Sequence, residues 1–90
     1  MSGACVSYLS LVRKLRCCAC GSGLLVEAHH STVGRAFGRK SDDHNAMPLC
    51  RVCHGDFHAG RGRFHNWSRD RRRLWQIDMV ADTRRAIAEA

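Results

Sequence analysis

Apolar positions along this chain follow two periods, and the switches between them predict the order of elements. Tyr8, Leu11, Val12 and Leu15 recur at the i, i+3, i+4, i+7 spacing of one helix face, which predicts a short first helix running toward a cysteine pair. Leu24-Leu25-Val26-Glu27-Ala28-His29-His30 is an apolar, extended-type run and predicts the first strand of a hairpin, with a histidine pair at its end. Residues 31 to 45 hold Gly34, Gly38 and several charges without any period, the signature of a loop. A loop of that length is often functional.

Ala46-Met47-Pro48-Leu49 then reads as a second short strand, which Pro48 confines to an edge or a bulge. His54 and His58 are one helical turn apart, so a helix starting between Arg51 and His54 points both imidazoles to one side. Gly60 and Gly62 end it. From Ser68 as N-cap to Ala90, Leu74, Ile77, Val80, Ala81, Ile87 and Ala88 fall near one stripe and predict the longest helix, over about 69–88. Its first turn is rich in arginine, which the helix dipole disfavours, so a phosphate or acidic neighbours should offset that charge. No repeat, low-complexity tract or boundary divides the chain. The expected fold is one small α+β domain spanning 1–90.

A chain of 90 residues buries too little apolar surface to be comfortably stable without a staple. Its six cysteines supply one in either of two ways. A disulfide framework needs an oxidising compartment. The start, Met1-Ser-Gly-Ala-Cys5, lacks a basic export region, and the apolar stretch from Val6 to Val12 is broken by Ser7, Tyr8 and Ser10. No run is long enough to span a membrane. The expectation is therefore a reduced, cytoplasmic protein that uses thiolates for metal.

Two Cys-x-x-Cys pairs, Cys17 with Cys20 and Cys50 with Cys53, suit a closed tetrahedral structural zinc. Cys18 is only two residues from Cys20, a poor chelate spacing, so it and Cys5 read as spare small hydrophobes. An exchange of Cys18 for Cys17 stays open. His29, His54 and His58 offer a second, open set of three ligands, the arrangement that does chemistry. It would accept Mg²⁺, Mn²⁺ or Zn²⁺. His30 is then free to act as a base near neutral pH. Adjacent strand residues face opposite ways, so His29 and His30 share one site only if the strand ends or twists there, and their roles could be reversed. Asn45 would orient the base or pin the loop. The plainer reading of the histidines is a second structural zinc or a helix cap.

Formal net charge is +7, and thirteen of the fifteen basic residues are arginine, whose planar fork matches phosphate oxygens. Arg61, Arg63, Arg69, Arg71, Arg72 and Arg73 share one segment with Phe64, His65 and Trp67, so phosphate contacts and stacking surfaces lie together. Arg35, Arg39 and Lys40 put further cations in the long loop. Arg35 or Lys40 could also stabilise a pentacovalent phosphate. Nucleic acid is the expected partner, contacted by Arg35, Arg39, Lys40, Arg61, Arg63, Arg71 and Arg72. Trp67 and Trp75 read as core residues rather than stacking platforms. His44 reads as an exposed loop residue.

These residues resemble the HNH endonuclease superfamily. The resemblance covers about Arg16 to Gly60: a histidine pair ending strand one, Asn45 in the loop before strand two, and His54 on the helix. His58 stands where colicin-like members place a further ligand. The flanks are similar to small phage and prophage nucleases of the recombination-enhancement type. They match at Tyr8-Leu9, Val12-Arg13-x-Leu15, Lys40-Ser41-Asp42-Asp43 and Phe64-x-x-Trp67.

The resemblance implies a ββα-metal core flanked by an N-terminal and a C-terminal helix. It also implies a metal-dependent DNA endonuclease of weak sequence preference, of phage or prophage origin and acting in recombination, restriction or DNA processing, with single-stranded DNA and recombination intermediates among its partners, in a bacterial or phage-infected cell. His30, Asn45 and His54 would be its catalytic residues. Cutting both strands with one small site needs a dimer or two visits. The alternatives are a non-catalytic zinc module that binds nucleic acid, which would need only the thiols, and a secreted disulfide-bonded basic peptide.

Overall fold

The computed structural model describes residues 7–33 and 43–89. Cys5, Arg35, Arg39 and Lys40, and most of the predicted loop, lie outside the described residues. The chain runs through α1 (Tyr8–Arg13), β1 (Val26–His30), β2 (Ala46–Cys50), α2 (Arg51–Ala59), a 3-10 turn (Gly62–Phe64) and α3 (Arg69–Glu89). This is a small α+β fold with a two-stranded sheet and helices around it.

Ser7 starts α1 as an N-cap, its hydroxyl accepting from the Ser10 N–H at 3.1 Å. Of its expected apolar face, Val12 is fully buried, while Leu15 lies beyond the helix end. β1 and β2 pair antiparallel with Val26 opposite Cys50 and His30 opposite Ala46. β2 is buried along its whole length because α1, α2 and α3 all pack on it. Pro48 is tolerated because the strand has a free edge, where its carbonyl accepts from the Cys18 N–H at 2.9 Å.

Cys50 ends β2 and caps α2, so strand passes to helix without a connecting loop. Gly60 closes α2 in the left-handed region, at φ 68°. Ser68 opens α3 as its side chain accepts from the Arg71 N–H at 3.1 Å. Phe57, Phe64, Trp67 and Trp75 form a cluster of edge-on and tilted rings with centroids 5.0–5.6 Å apart. Both tryptophans therefore pack against the core. Arg71 lies over Trp67 at 4.1 Å and Arg72 over Phe57 at 4.0 Å, so ring faces take up part of the cationic first turn.

The buried face of α3 differs from the expected stripe. Gln76, Val80 and Thr83 are buried with Trp75 and Met79 beside them, whereas Leu74 and Ile77 are 58% and 42% exposed and Ala81 and Ala88 face solvent. The buried face contains two polar residues that satisfy their own hydrogen bonds. Thr83 donates to the Met79 carbonyl at 2.7 Å, and Gln76 bonds to β1 and the segment after it. An apolar stripe drawn by periodicity passes beside such a face. No helix among the described residues is long and apolar enough to cross a membrane.

Candidate functional site

The sulfurs of Cys17, Cys20, Cys50 and Cys53 lie within 4.8 Å of one another. The first pair is held by a turn in which Cys17 N–H donates to the Ser22 carbonyl and Gly21 N–H to that of Cys17, both at 2.8 Å. Gly21 supplies the positive φ of 81° this turn requires. The second pair sits on the strand-to-helix junction, where the Cys50 sulfur accepts from the Cys53 N–H at 3.5 Å. The Cys20 and Cys50 sulfurs are 3.7 Å apart. Ligands about 2.3 Å from one tetrahedral zinc are separated by about 3.8 Å, close to this spacing, so the four thiols could hold such an ion.

Burial works to raise the Cys17 thiol, but hydrogen bonds from the backbone of Cys50, Cys20 and Ala19, and from the Cys20 side chain, pull it down to about 6. Burial and the neighbouring thiols push Cys53 up. One thiolate forms readily and the next resists, the behaviour of a cluster that a bound dication completes. Cys18 stands outside the cluster. Burial, with Cys17 beside it, pushes Cys18 up to about 12, and it packs on the core. The cluster takes Cys17 rather than Cys18.

The ring nitrogens of His29, His54 and His58 form a second cluster within 4.8 Å of one another. β1 supplies His29, and one turn of α2 supplies His54 and His58. His29 is buried, His54 is partly exposed and His58 faces solvent, so the cluster is open on one side. Burial drives the His29 imidazole down to about 4, which keeps it neutral at pH 7. Burial and the charges of His54 and Arg72 also lower His58.

Two further residues fix the tautomers of this cluster. The Thr32 N–H donates to Gln76 Oε1 at 3.2 Å, which orients the amide. The same oxygen lies 3.1 Å from His29 Nε2, so that nitrogen must be the donor and Nδ1 carries the lone pair. On His54, Nδ1 is 2.8 Å from Glu27 Oε1 and donates to it. The His54 contact holds the Glu27 carboxyl below its usual range. His29 Nδ1 and His54 Nε2 then face each other at 3.1 Å. Two lone pairs that close need a proton or a metal ion between them. Ligand nitrogens about 2.0–2.1 Å from one tetrahedral ion would be about 3.3 Å apart.

His30 lies outside this cluster. Strand alternation places Glu27 and His29 on one face and His30 on the other, where His30 Nε2 donates to Asp43 Oδ1 at 3.1 Å. Asn45 pins the loop ends: its carbonyl accepts from the Ser31 N–H at 2.7 Å, and its side-chain oxygen accepts from Arg84 at 2.6 Å. His44 is exposed, with its ring 4.4 Å from that of Tyr8. Sequence reasoning missed the roles of Glu27, Asp43, Gln76 and Arg84. The two-residue spacing of Glu27 and His29 on a strand was a usable signal. A helical glutamine far along the chain carried none.

A model of the family described as "Protein of unknown function (DUF968)" matches residues 1–82. The chain belongs to the DUF968 family. No curated protein and no solved structure matches it. The stretch matched to DUF968 includes both clusters, Glu27 and Gln76.

Every described arginine nominated for nucleic acid has a partner within this DUF968 chain. Arg61 pairs with Asp56 at 3.5 Å, and Arg63 donates to the Ala19 carbonyl at 2.5 Å. Arg71 covers Trp67, and Arg72 covers Phe57 while donating to its carbonyl at 2.5 Å.

Proposed function

We propose that this chain is a metal-dependent endonuclease of the HNH type, with a ββα-metal core, that hydrolyses DNA phosphodiester bonds. The observation that carries the reading is the facing of His29 Nδ1 and His54 Nε2, both held as acceptors by Gln76 and Glu27. A purely structural module is complete with the four thiols. Here a second set of three imidazoles, open on one side, stands on a hairpin and helix in a chain of net charge +7.

His29, His54 and His58 would hold a divalent cation, which supplies Lewis-acid neutralisation of charge on the phosphoryl and departing 3′ oxygens. His30 is the base. Its Nε2–H is engaged by Asp43, which leaves Nδ1 to take the proton from water. The water oxygen bonds to phosphorus, the P–O3′ bond breaks, and the 3′ oxygen leaves with the electron pair and is protonated by solvent. The products are a 5′-phosphate and a 3′-hydroxyl. Asn45 acts at one remove, by fixing the loop ends. The thiol cluster would hold the structural zinc. Arginine contacts to phosphate dominate affinity, so sequence preference is weak.

The test is nicking of supercoiled plasmid by metal-stripped protein reconstituted with zinc at the thiols, then given Mg²⁺, Mn²⁺ or Zn²⁺, beside His58→Ala and His30→Ala. Nicking that requires the added metal and is lost in both folded variants is expected. Binding without nicking under every metal would replace this reading with the non-catalytic zinc module.

A further inference from the structure

A cleft of about 490 Å³ opens beside two of the three histidines, and its lining includes His29, His58, Gln76, Arg69, Arg72 and Arg73. The last four lie on one face of α3, since positions 69, 72, 73 and 76 follow the i, i+3, i+4, i+7 spacing. Gln76 is bonded to a histidine of the cluster, so this face leads away from that centre along α3. From Gln76 to Arg69 the helix rises about 10 Å, a length that covers two or three phosphates of one strand.

The arginines on this face are committed differently from Arg61 and Arg63. Arg69 and Arg73 have no hydrogen-bond or ion-pair partner among the described residues, while Arg61 and Arg63 are engaged with the protein. Arg72 spends one donor on the Phe57 carbonyl and stacks on that ring. This fixes the guanidinium and leaves other N–H donors unused. Three cations within two turns, with Asp70 the acidic residue in the first turn, repel one another at the helix end least suited to them. A bound anion relieves that repulsion.

We propose that Arg69, Arg72 and Arg73 form a subsite for the phosphates that flank the scissile one on the same DNA strand. The inference rests on the reading of the histidine cluster as the centre that takes the scissile phosphate. Arg72 is the fixed element, and Arg69 and Arg73 are the adaptable ones. The cleft then sets the direction in which the strand leaves the centre.

The experiment is anisotropy of a short fluorescein-labelled DNA duplex against salt, with Ca²⁺ as the added divalent ion. It compares the wild type, Arg69→Gln/Arg73→Gln, and a control of equal charge loss at the C-terminal end of α1, Arg13→Gln/Lys14→Gln. Removing two phosphate contacts should flatten the slope of log K against log salt by about 2 and weaken binding at least about tenfold at low salt. The control should keep most of both, and calorimetric Mn²⁺ binding should be unchanged in the arginine variant. An unflattened slope, or an equal loss in the control, would overturn the subsite. Failure of the wild type to nick plasmid with any metal would instead overturn the nuclease, and the salt slopes would still decide whether DNA occupies this cleft.

Discussion

Gln76 and His29 are 47 positions apart in sequence and share a hydrogen bond of 3.1 Å, with both side chains buried. The bond joins α3 to the histidine cluster and selects the ring nitrogen that faces it. Without Gln76, the Thr32 N–H and His29 Nε2 would both lose their acceptor, and the imidazole could adopt the other tautomer.

Gln76→Ala should therefore weaken metal binding at the histidine cluster by about 10- to 100-fold, the usual effect of losing such a support. It should also destabilise the fold by about 1–3 kcal/mol through the buried His29 donor left unpaired. Gln76→Glu keeps an acceptor for both and should retain metal affinity. Calorimetric titration with Co²⁺ and chemical denaturation separate the two effects. Equal affinity in wild type and the alanine variant would show that Gln76 supports only the fold.

Glu27 plays the corresponding part for His54, across a hydrogen bond of 2.8 Å. Glu27→Ala should cost a similar factor in metal affinity, about 10- to 100-fold. Its carboxylate is more exposed than Gln76, so the stability loss should be smaller. The two residues hold different histidines, but His29 and His54 meet at 3.1 Å and would share one ion, so their effects on log affinity should fall short of a simple sum in the double variant. A double variant no weaker than the worse single one would mean that one histidine alone governs binding.

The thiol cluster makes a sharper prediction, because Cys17 and Cys18 are neighbours with opposite environments. Cys17→Ser removes a ligand and should abolish stoichiometric zinc and cooperative folding together, since metal binding and folding are one process in a domain this small. Cys18→Ala should leave zinc at one per chain at this cluster and cost no more than about 1–2 kcal/mol of packing. Zinc release measured with a thiol-reactive mercurial and a chromogenic chelator, alongside circular dichroism, distinguishes them. Retention of zinc by Cys17→Ser with loss in Cys18→Ala would invert the ligand assignment.

What was legible in the sequence had local spacing as its carrier. Two residues between cysteines, or one helical turn between His54 and His58, fixes which side chains converge almost regardless of the fold. The sharing of one site by His29 and His30 was expected because the strand ends there, but alternation along β1 sets the two apart and only His29 joins the cluster. The partners of these residues were not legible, because Gln76 and Arg84 reach them across the tertiary fold. The buried face of α3 was misplaced for the same reason. Gln76 and Thr83 occupy core positions through hydrogen bonds that no hydropathy pattern records.

Arg84 and Asn45 provide the last test, since Arg84 binds both the Asn45 side chain at 2.6 Å and the His44 carbonyl at 2.8 Å. Asp43, the partner of His30, is two residues before Asn45. Releasing this clamp should loosen the segment that positions His30 while leaving the metal ligands untouched. Arg84→Ala and Asn45→Ala should each lower the plasmid-nicking rate by about tenfold, within the range that general-base catalysis contributes, with Mn²⁺ affinity unchanged. The double variant should be no slower than either single one, because both break the same contact. If Asn45 instead touches the reacting phosphate, Asn45→Ala alone would collapse the rate and Arg84→Ala would be nearly silent. The ratio of the two single-variant rates therefore decides whether Asn45 positions the base or meets the substrate.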